Sequence, residues 1–353
     1  MINTKKLSSV GIAGYGAYVP RFRISVDEIA RVYEKDGKLI SRSLGVKQKA
    51  VADIDEDCLT MAVEASKQAL EMAGIRPDKI GACFVGSESF AYAVKPTTVS
   101  LAQALGMDNA YFTVDLQFAC KAATAGIQII AGLLEAGLID YGLVVGSDKA
   151  QACPGDVLEY TAGSAAGAII LSRKKSLWLA KLNYIDSFNS DTPDFWRREG
   201  QSFPQHAGRF TGEPAYFEHV VKSSKNFLEK ISKKAEGFDY AVFHSPNKKF
   251  PLKAGGMLGF GKQQMKYSLL VEEIGNPYSA SVLISLANVL DKARKNENIF
   301  LTSYGSGAGS DNFWFKTTNG LLPGRRKKKK LTEMFKDIEE ISYTEYLRKM
   351  GEI

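Results

Sequence analysis

The sequence predicts an α/β protein made of two duplicated βα halves. Three observations carry that reading: short apolar runs alternate with stretches of helical spacing, the order of elements recurs, and three marked positions recur at one fixed offset. Residues 10–15 form a short apolar strand with glycines at its end. Residues 57–73 have helical spacing, with Leu59, Ala62, Val63, Ala69 and Leu70 on one side and Gly74 as a stop. Residues 80–85 and 110–116 read as buried strands. A helix of small residues runs from about Cys120 to Ala136, and the strand 141–145 enters Gly146-Ser147-Asp148. The second half repeats the order. A strand at 240–243 ends at His244, Asn276 opens a helix over 279–290, and the strand 299–302 enters a Ser-Tyr-Gly-Ser-Gly loop. Glu88 to Cys120 and His244 to Asn276 each span 32 residues, and Cys120 to Ser147 and Asn276 to Ser303 each span 27. One offset of 156 superimposes all three landmarks. Sites of parallel-sheet proteins lie at the carboxyl ends of strands. Two such halves facing each other therefore bring Glu88, Cys120, His244 and Asn276 together.

Composition bounds the function. The 353 residues are 45% hydrophobic and 24% charged, ordinary for a globular chain of about two domains, or of one large domain in two halves. No apolar run is long enough for a membrane span, and residues 1–20 are too short and irregular for a secretory signal, which predicts a cytoplasmic protein. Cys58, Cys83, Cys120 and Cys153 lack paired spacing, so neither a disulfide framework nor a zinc site is expected. His206, His219 and His244 form no local metal motif, and no metal is expected. Net charge is +7, with a continuous basic run from Arg325 to Lys330. That run reads as a solvated tail segment or as an attractor of polyanions or an acidic partner. Nucleic-acid binding is not expected, because no nucleic-acid module accompanies it.

The chemistry rests on a few side chains. Cys120 follows a strand and a short elbow and precedes a small-residue helix, so its sulfur is expected at a helix N-terminus, where the dipole and backbone N–H groups favour a thiolate. Cys58 and Cys83 sit within apolar patterns and read as structural. His244, in Val242-Phe243-His244-Ser245-Pro246, ends a strand and enters a Lys-rich loop, a good place for a general acid or base. Glu88, in Val85-Gly86-Ser87-Glu88-Ser89, has the same strand-end position. Asn276 in Gly275-Asn276-Pro277-Tyr278 also suits a helix N-cap. Gly305-Ser306-Gly307-Ala308-Gly309 offers backbone N–H groups for an oxyanion. Neither a dinucleotide fingerprint nor a Walker loop is present.

Together, Phe118-Ala119-Cys120, Phe243-His244-Ser245-Pro246, Gly275-Asn276-Pro277-Tyr278 and Ser303-Tyr304-Gly305-Ser306-Gly307 resemble the thiolase superfamily. Glu88 in its Val-Gly-Ser-Glu context, with residues 87–96, 154–161, 191–198 and 208–217, is similar to the archaeal branch of the hydroxymethylglutaryl-CoA synthases. The resemblance covers roughly residues 8–318. It implies a thiolase-like fold, two βα halves in a five-layered αβαβα arrangement, with halves at 1–175 and 176–320 and a basic extension at 321–353. It implies Glu88, Cys120 and His244 as the catalytic trio. Acetyl-CoA would acylate Cys120, Glu88 would take a methyl proton, and the resulting carbon would attack acetoacetyl-CoA while His244 protonates the alkoxide. Water would then release 3-hydroxy-3-methylglutaryl-CoA. The CoA thioesters are substrates, and no cofactor is implied.

Substrate and CoA contacts carry over to Asn276 and Ser306, to Lys249 and Lys253, and by a looser local alignment to Asp36, Gly37, Thr161, Arg209 and Thr211. Gly37 departs from the alanine of archaeal relatives. The resemblance further implies a homodimer paired near residues 110–116, a role in the mevalonate pathway, and a complex with an acetoacetyl-CoA thiolase and a zinc-ribbon/OB-fold bridging protein. Three alternatives stand beside it. A ketoacyl synthase III-like enzyme needs no carboxylate base such as Glu88. A true thiolase would carry a second cysteine where Ser306 stands. A non-catalytic CoA-binding scaffold would not need Glu88, Cys120, His244 and Asn276 together.

Overall fold

The computed structural model describes residues 5–149, 151–321 and 331–353. The basic run from Arg325 to Lys330 lies outside them. In chain order the elements that build the site are β1 (Gly11–Tyr18), α1 (Gly37–Leu44), α2 (Cys58–Ala73), β2 (Ala82–Gly86), β3 (Phe112–Leu116), α3 (Ala122–Glu135), β4 (Tyr141–Asp148) and β5 (Ala165–Ser172). They continue with β6 (Ala180–Asn189), α4 (Ser223–Lys230), β7 (Tyr240–Phe243), α5 (Lys249–Met257), α6 (Ser281–Lys292), β8 (Asn298–Thr302), β9 (Gly309–Thr317) and α7 (Tyr343–Met350).

Helix boundaries follow local chemistry. Asp57 caps α2 by accepting from the Thr60 N–H at 2.8 Å, in a reciprocal capping box, and Gly74 ends the helix at φ +65°. Three long strands, β5, β6 and β9, stand beyond those expected from the sequence, and they complete the duplication. In the first half β2 runs parallel to β4, β4 antiparallel to β5, and β5 antiparallel to β1. In the second half β7, β8, β9 and β6 repeat the same order and the same directions. Strand β3 adds in parallel outside β2. The halves meet where β1 pairs with β6 through Gly11–Lys181 and Ile12–Ala180, which joins nine strands in one continuous path among the described residues.

Alternate residues on each strand face different layers. Val144 and, in the second half, Ile299 and Leu301 point to a central cluster that holds Ile127, Ile130 and Leu134 of α3 with Val282, Leu286 and Leu290 of α6. Leu143 and Val145 point the other way, to Met61, Ala65 and Ala69 of α2. Phe300 likewise turns outward to Phe227 of α4. Helices α2, the first sheet half, the α3/α6 pair, the second sheet half and α4 therefore make five layers, as the sequence resemblance implied. Each fully buried Ile or Leu of the central pair contributes roughly 1.5–3 kcal/mol.

Two glycines set the approach of the central layer to the strands. A Cβ on Gly86 would lie 2.3 Å from the Ala123 nitrogen, and one on Gly146 would lie 2.3 Å from the Ser279 carbonyl oxygen. Only bare backbone lets β2 and β4 press against the starts of α3 and α6. The described part of the C-terminal region is integral to the body. Ile341, Tyr343 and Tyr346 share a buried cluster with Phe22, Ile24, Ile29 and Val271. Beneath α7, the buried Lys49 amine donates to the Glu159 carbonyl at 2.5 Å and to the Tyr346 hydroxyl at 3.0 Å.

Candidate active site

Cys120 sits on a tight turn between β3 and α3. Ala119 before it has φ +42°, a left-handed conformation that costs a non-glycine residue about 1–2 kcal/mol, and Gly275, its counterpart at the same offset, has φ +73°. The turn closes by the Lys121 N–H donating to the Phe118 carbonyl at 3.2 Å and the Ala122 N–H to that of Ala119 at 3.1 Å. This aims the sulfur into a buried space, where its partner is the carboxylate of Glu88.

The sequence led us to expect a thiolate here, and the structure corrects that. Burial, followed by the Glu88 charge and hydrogen bond and by the charge of Asp148, pushes the Cys120 thiol well above its ordinary value. Helix α3 begins only at Ala122, and its N-terminal field is outweighed by desolvation and two carboxylates. Cys120 rests as a thiol beside Glu88.

Glu88 follows the end of β2. Burial raises its carboxyl to about 8, with a further push from Asp148; the Cys120 thiol and Arg197 oppose this. One of its carboxylate oxygens is enclosed without a hydrogen-bond partner among the described residues. Asp148, at the end of β4, was not singled out by sequence. It accepts from the Glu88 N–H at 2.7 Å, from the hydroxyls of Ser87 and Ser89 at 2.8 Å each, and from the Ser279 N–H of the second half at 2.8 Å. Burial lifts it to about 6. Its signal was present, because Gly146-Ser147-Asp148 ends a strand in the way Ser87-Glu88 does. What the sequence hid is that two distant segments, residues 87–89 and Ser279, donate to it.

From the second half, His244 follows β7. Its N–H donates to the Thr302 carbonyl at 3.0 Å, and its carbonyl accepts from the Tyr216 hydroxyl at 2.8 Å. Burial drives the imidazole down to about 3, so the ring is neutral, and its Nδ1 has no partner among the described residues. Tyr304 packs 6.2 Å from that ring, centroid to centroid. Asn276 closes a local turn rather than capping a helix. Its backbone N–H donates to the Thr161 carbonyl at 2.6 Å, and its side-chain oxygen accepts from the Tyr278 N–H at 3.1 Å. The NH2 edge of the amide is thereby turned away from that bond. Tyr278 shares a buried cluster with Cys120, Ala152 and Ala162. Ser306 donates to the buried Asp194 at 3.3 Å, and neighbouring Gly305 lies so close to the Phe118 carbonyl that a Cβ would be 2.5 Å from its oxygen.

Glu88 and Ser306 thus share one cavity wall, Cys120 lies beside Glu88, Asn276 and Thr161 join the Cys120 cluster through Ala162, and His244 packs on Tyr304. The remaining expected contacts are more peripheral. Asp36 is exposed and caps α1 by accepting from the Leu39 N–H at 2.9 Å. Gly37 is buried, and a Cβ there would lie 2.2 Å from an Asp27 carboxylate oxygen, which explains glycine in place of alanine. Lys249 and Lys253 are exposed on α5, with Lys253 over the Phe217 ring at 4.3 Å. Arg209 is exposed, while the Thr211 hydroxyl is enclosed with no partner among the described residues. The Lys248 N–H donates to the Leu44 carbonyl at 3.0 Å, which ties the loop after His244 to the end of α1.

Beside Glu88 and Ala119 lies a cavity of about 240 Å³ whose wall includes Gln117, Gln151, Arg197, Tyr278 and Ser306. Arg197 donates to the Glu88 carbonyl at 2.8 Å and bridges to Gln151. It also lines an adjoining outer cleft of about 810 Å³.

No family model matches the chain. Curated relatives match over nearly its whole length. The hydroxymethylglutaryl-CoA synthase of Archaeoglobus fulgidus is 50% identical over 337 residues, 96% of either chain. That of Methanocaldococcus jannaschii is 50% identical over 338 residues, 96% of this chain and 97% of the relative. Among solved structures, an HMG-CoA synthase complexed with CoA superposes at TM-score 0.87 and 22% identity, over 97% of this chain and 90% of that one. MvaS in complex with 3-hydroxy-3-methylglutaryl coenzyme A superposes at 0.87 and 25% identity, over 98% and 92%. A 3-oxoacyl-(acyl carrier protein) synthase III from Pseudomonas aeruginosa reaches 0.79 at 21%, over 88% and 99%, a likeness of fold. With half of its residues shared across the full length of these relatives, the chain belongs to the hydroxymethylglutaryl-CoA synthase family.

Proposed function

We propose that this enzyme condenses acetyl-CoA with acetoacetyl-CoA and water, through an acetyl-Cys120 thioester, to give 3-hydroxy-3-methylglutaryl-CoA and CoA. The observation that carries the reading is the strand-end Glu88 carboxyl beside the buried Cys120 thiol, with the buried, neutral His244 packed on Tyr304 on the side of the second half. Glu88 takes the thiol proton as the sulfur attacks acetyl-CoA, then returns it to the departing CoA sulfur. The same carboxylate next removes a methyl proton from the acetyl thioester, and the carbanion attacks the ketone of acetoacetyl-CoA. A neutral imidazole is a hydrogen-bond donor rather than a strong acid. We therefore assign His244 to polarising the ketone oxygen and Glu88 to returning the proton to the alkoxide, which revises the sequence expectation that His244 protonates it. Asn276 and Ser306 hold the thioester oxygens. Lys249, Lys253 and Arg209 suit the phosphates of CoA.

The scheme uses side chains alone and needs no cofactor or metal beyond the CoA thioesters. Among the described residues no helix is long and apolar enough to cross a membrane, in keeping with a cytoplasmic enzyme of isoprenoid synthesis through mevalonate. A homodimer paired along β3 is supported by that edge strand, where Phe112 is 53% and Val114 37% exposed. The bridged complex with an acetoacetyl-CoA thiolase remains part of the proposal on family grounds. Intact-mass measurement after brief incubation with acetyl-CoA tests the central step. One acetyl adduct is expected, absent in Cys120→Ala and discharged by acetoacetyl-CoA with formation of hydroxymethylglutaryl-CoA. Discharge by malonyl thioesters alone would replace the reading with a ketoacyl synthase.

A further inference from the structure

Hydrolysis of the final thioester needs a water at Cys120 while the bulky CoA product still occupies the approach to the sulfur. Of the residues expected to contact substrate or CoA, only Ser306 reaches the 240 Å³ cavity beside Glu88; Lys249, Lys253, Arg209 and Asp36 are absent from its wall. The wall reaches Glu88 and Ala119, the residue before Cys120, and carries the polar side chains of Gln117, Gln151 and Arg197. The space is well above the roughly 10–15 Å³ that a single water needs, and its polar side chains offer a water hydrogen-bond partners. It adjoins the outer cleft, and Arg197 lines both, so a path to solvent exists that avoids the lysines.

We propose that this cavity is the hydrolytic-water site, with Gln151 and Arg197 positioning a water that Glu88 deprotonates for attack on the Cys120 thioester. The inference rests on the condensation reaction above. The proton account closes. Glu88 is ionised again once it has returned its proton to the alkoxide. It then accepts a proton from water as the hydroxyl oxygen bonds to the thioester carbon. The carbon–sulfur bond breaks, and Glu88 protonates the departing Cys120 sulfur. The product leaves as a carboxylate, its proton going to solvent. Gln151 and Arg197 are positioning residues here, since they act on the water and on the Glu88 loop.

The test uses Gln151→Leu, with Gln151→Asn as the conservative variant, each followed by quenched-flow mass spectrometry. Cys120 acetylation by acetyl-CoA is expected to stay within about twofold of the parent enzyme. After acetoacetyl-CoA is added, a covalent adduct of the condensed acyl-CoA should accumulate and product release should slow by roughly tenfold or more, the scale of lost general-base positioning. Gln151→Asn should recover most of the release rate. Unchanged release without an accumulated adduct overturns the proposal. Equal losses in acetylation and release also overturn it, because the cavity would then support the whole site rather than the water. Failure of the parent enzyme to make hydroxymethylglutaryl-CoA would instead refute the condensation reading.

Discussion

At the scale of single residues, burial of Glu88 beside Asp148 lifts its carboxyl from the ordinary 4.5 to about 8. Acylation removes the Cys120 thiol, one of the two influences that hold the value down, so the base of the acetyl-enzyme titrates no lower. Exchange of the acetyl methyl protons with deuterated water should therefore rise with pH to a plateau at or above about 8. In acetylated Glu88→Gln it should be slower by about 10²–10⁴-fold. The same shift affects stability. A carboxyl raised in the folded state contributes stability that is full below its unfolded value near 4.5 and is lost as pH rises through about 8. Glu88→Gln should melt about 2–4 °C above the parent at pH 9 and level with it near pH 4, read by scanning calorimetry. A pH-independent difference would contradict the assignment. His244 carries the opposite sign, since burial keeps it neutral across this range.

At the scale of elements, catalytic geometry depends on how closely β4 approaches the turn before α6. Gly146→Ala would drive a Cβ to 2.3 Å from the Ser279 carbonyl oxygen, whose N–H is held by Asp148. It should cost about 1–3 kcal/mol in urea unfolding and slow Cys120 acetylation. Gly132→Ala inside α3 meets nothing within 4 Å and should stabilise by about 0.5–1 kcal/mol, a matched control. This level also shows what the sequence made legible. Strand-end Glu88 and His244, and helix-start Cys120 and Asn276, were readable because the duplication repeats in register. The protonation of Cys120 was not readable, since it depends on which carboxylates face the sulfur. Strand β6 joins the second half to β1 through antiparallel pairing, and nothing within its own residues announces that register. Arg197 sits in an irregular stretch whose bond to Glu88 crosses 109 residues, beyond the reach of local pattern.

At the scale of the molecule, α7 closes the body over Lys49. Tyr346→Ala would remove a buried ring that accepts from the Lys49 amine and packs 4.3 Å from it, centroid to nitrogen. The expected loss is about 3–5 kcal/mol, combining a cavity with a less satisfied buried cation, and denaturant unfolding would measure it. A change of a few tenths would make α7 peripheral. The Lys49 stem in turn presses on Gly275, where a Cβ would lie 2.8 Å from the Lys49 Cβ, so the seat of Asn276 leans on that stem. Lys49 and Tyr346 are separated by 297 residues of chain. At ribosomal speeds of about 5–20 residues per second, roughly 15–60 s pass between the synthesis of one and the arrival of the other. Throughout that interval the nascent first half carries an unclosed apolar seat, and the enzyme's exposure to chaperones and proteases is set by elongation as much as by its final stability.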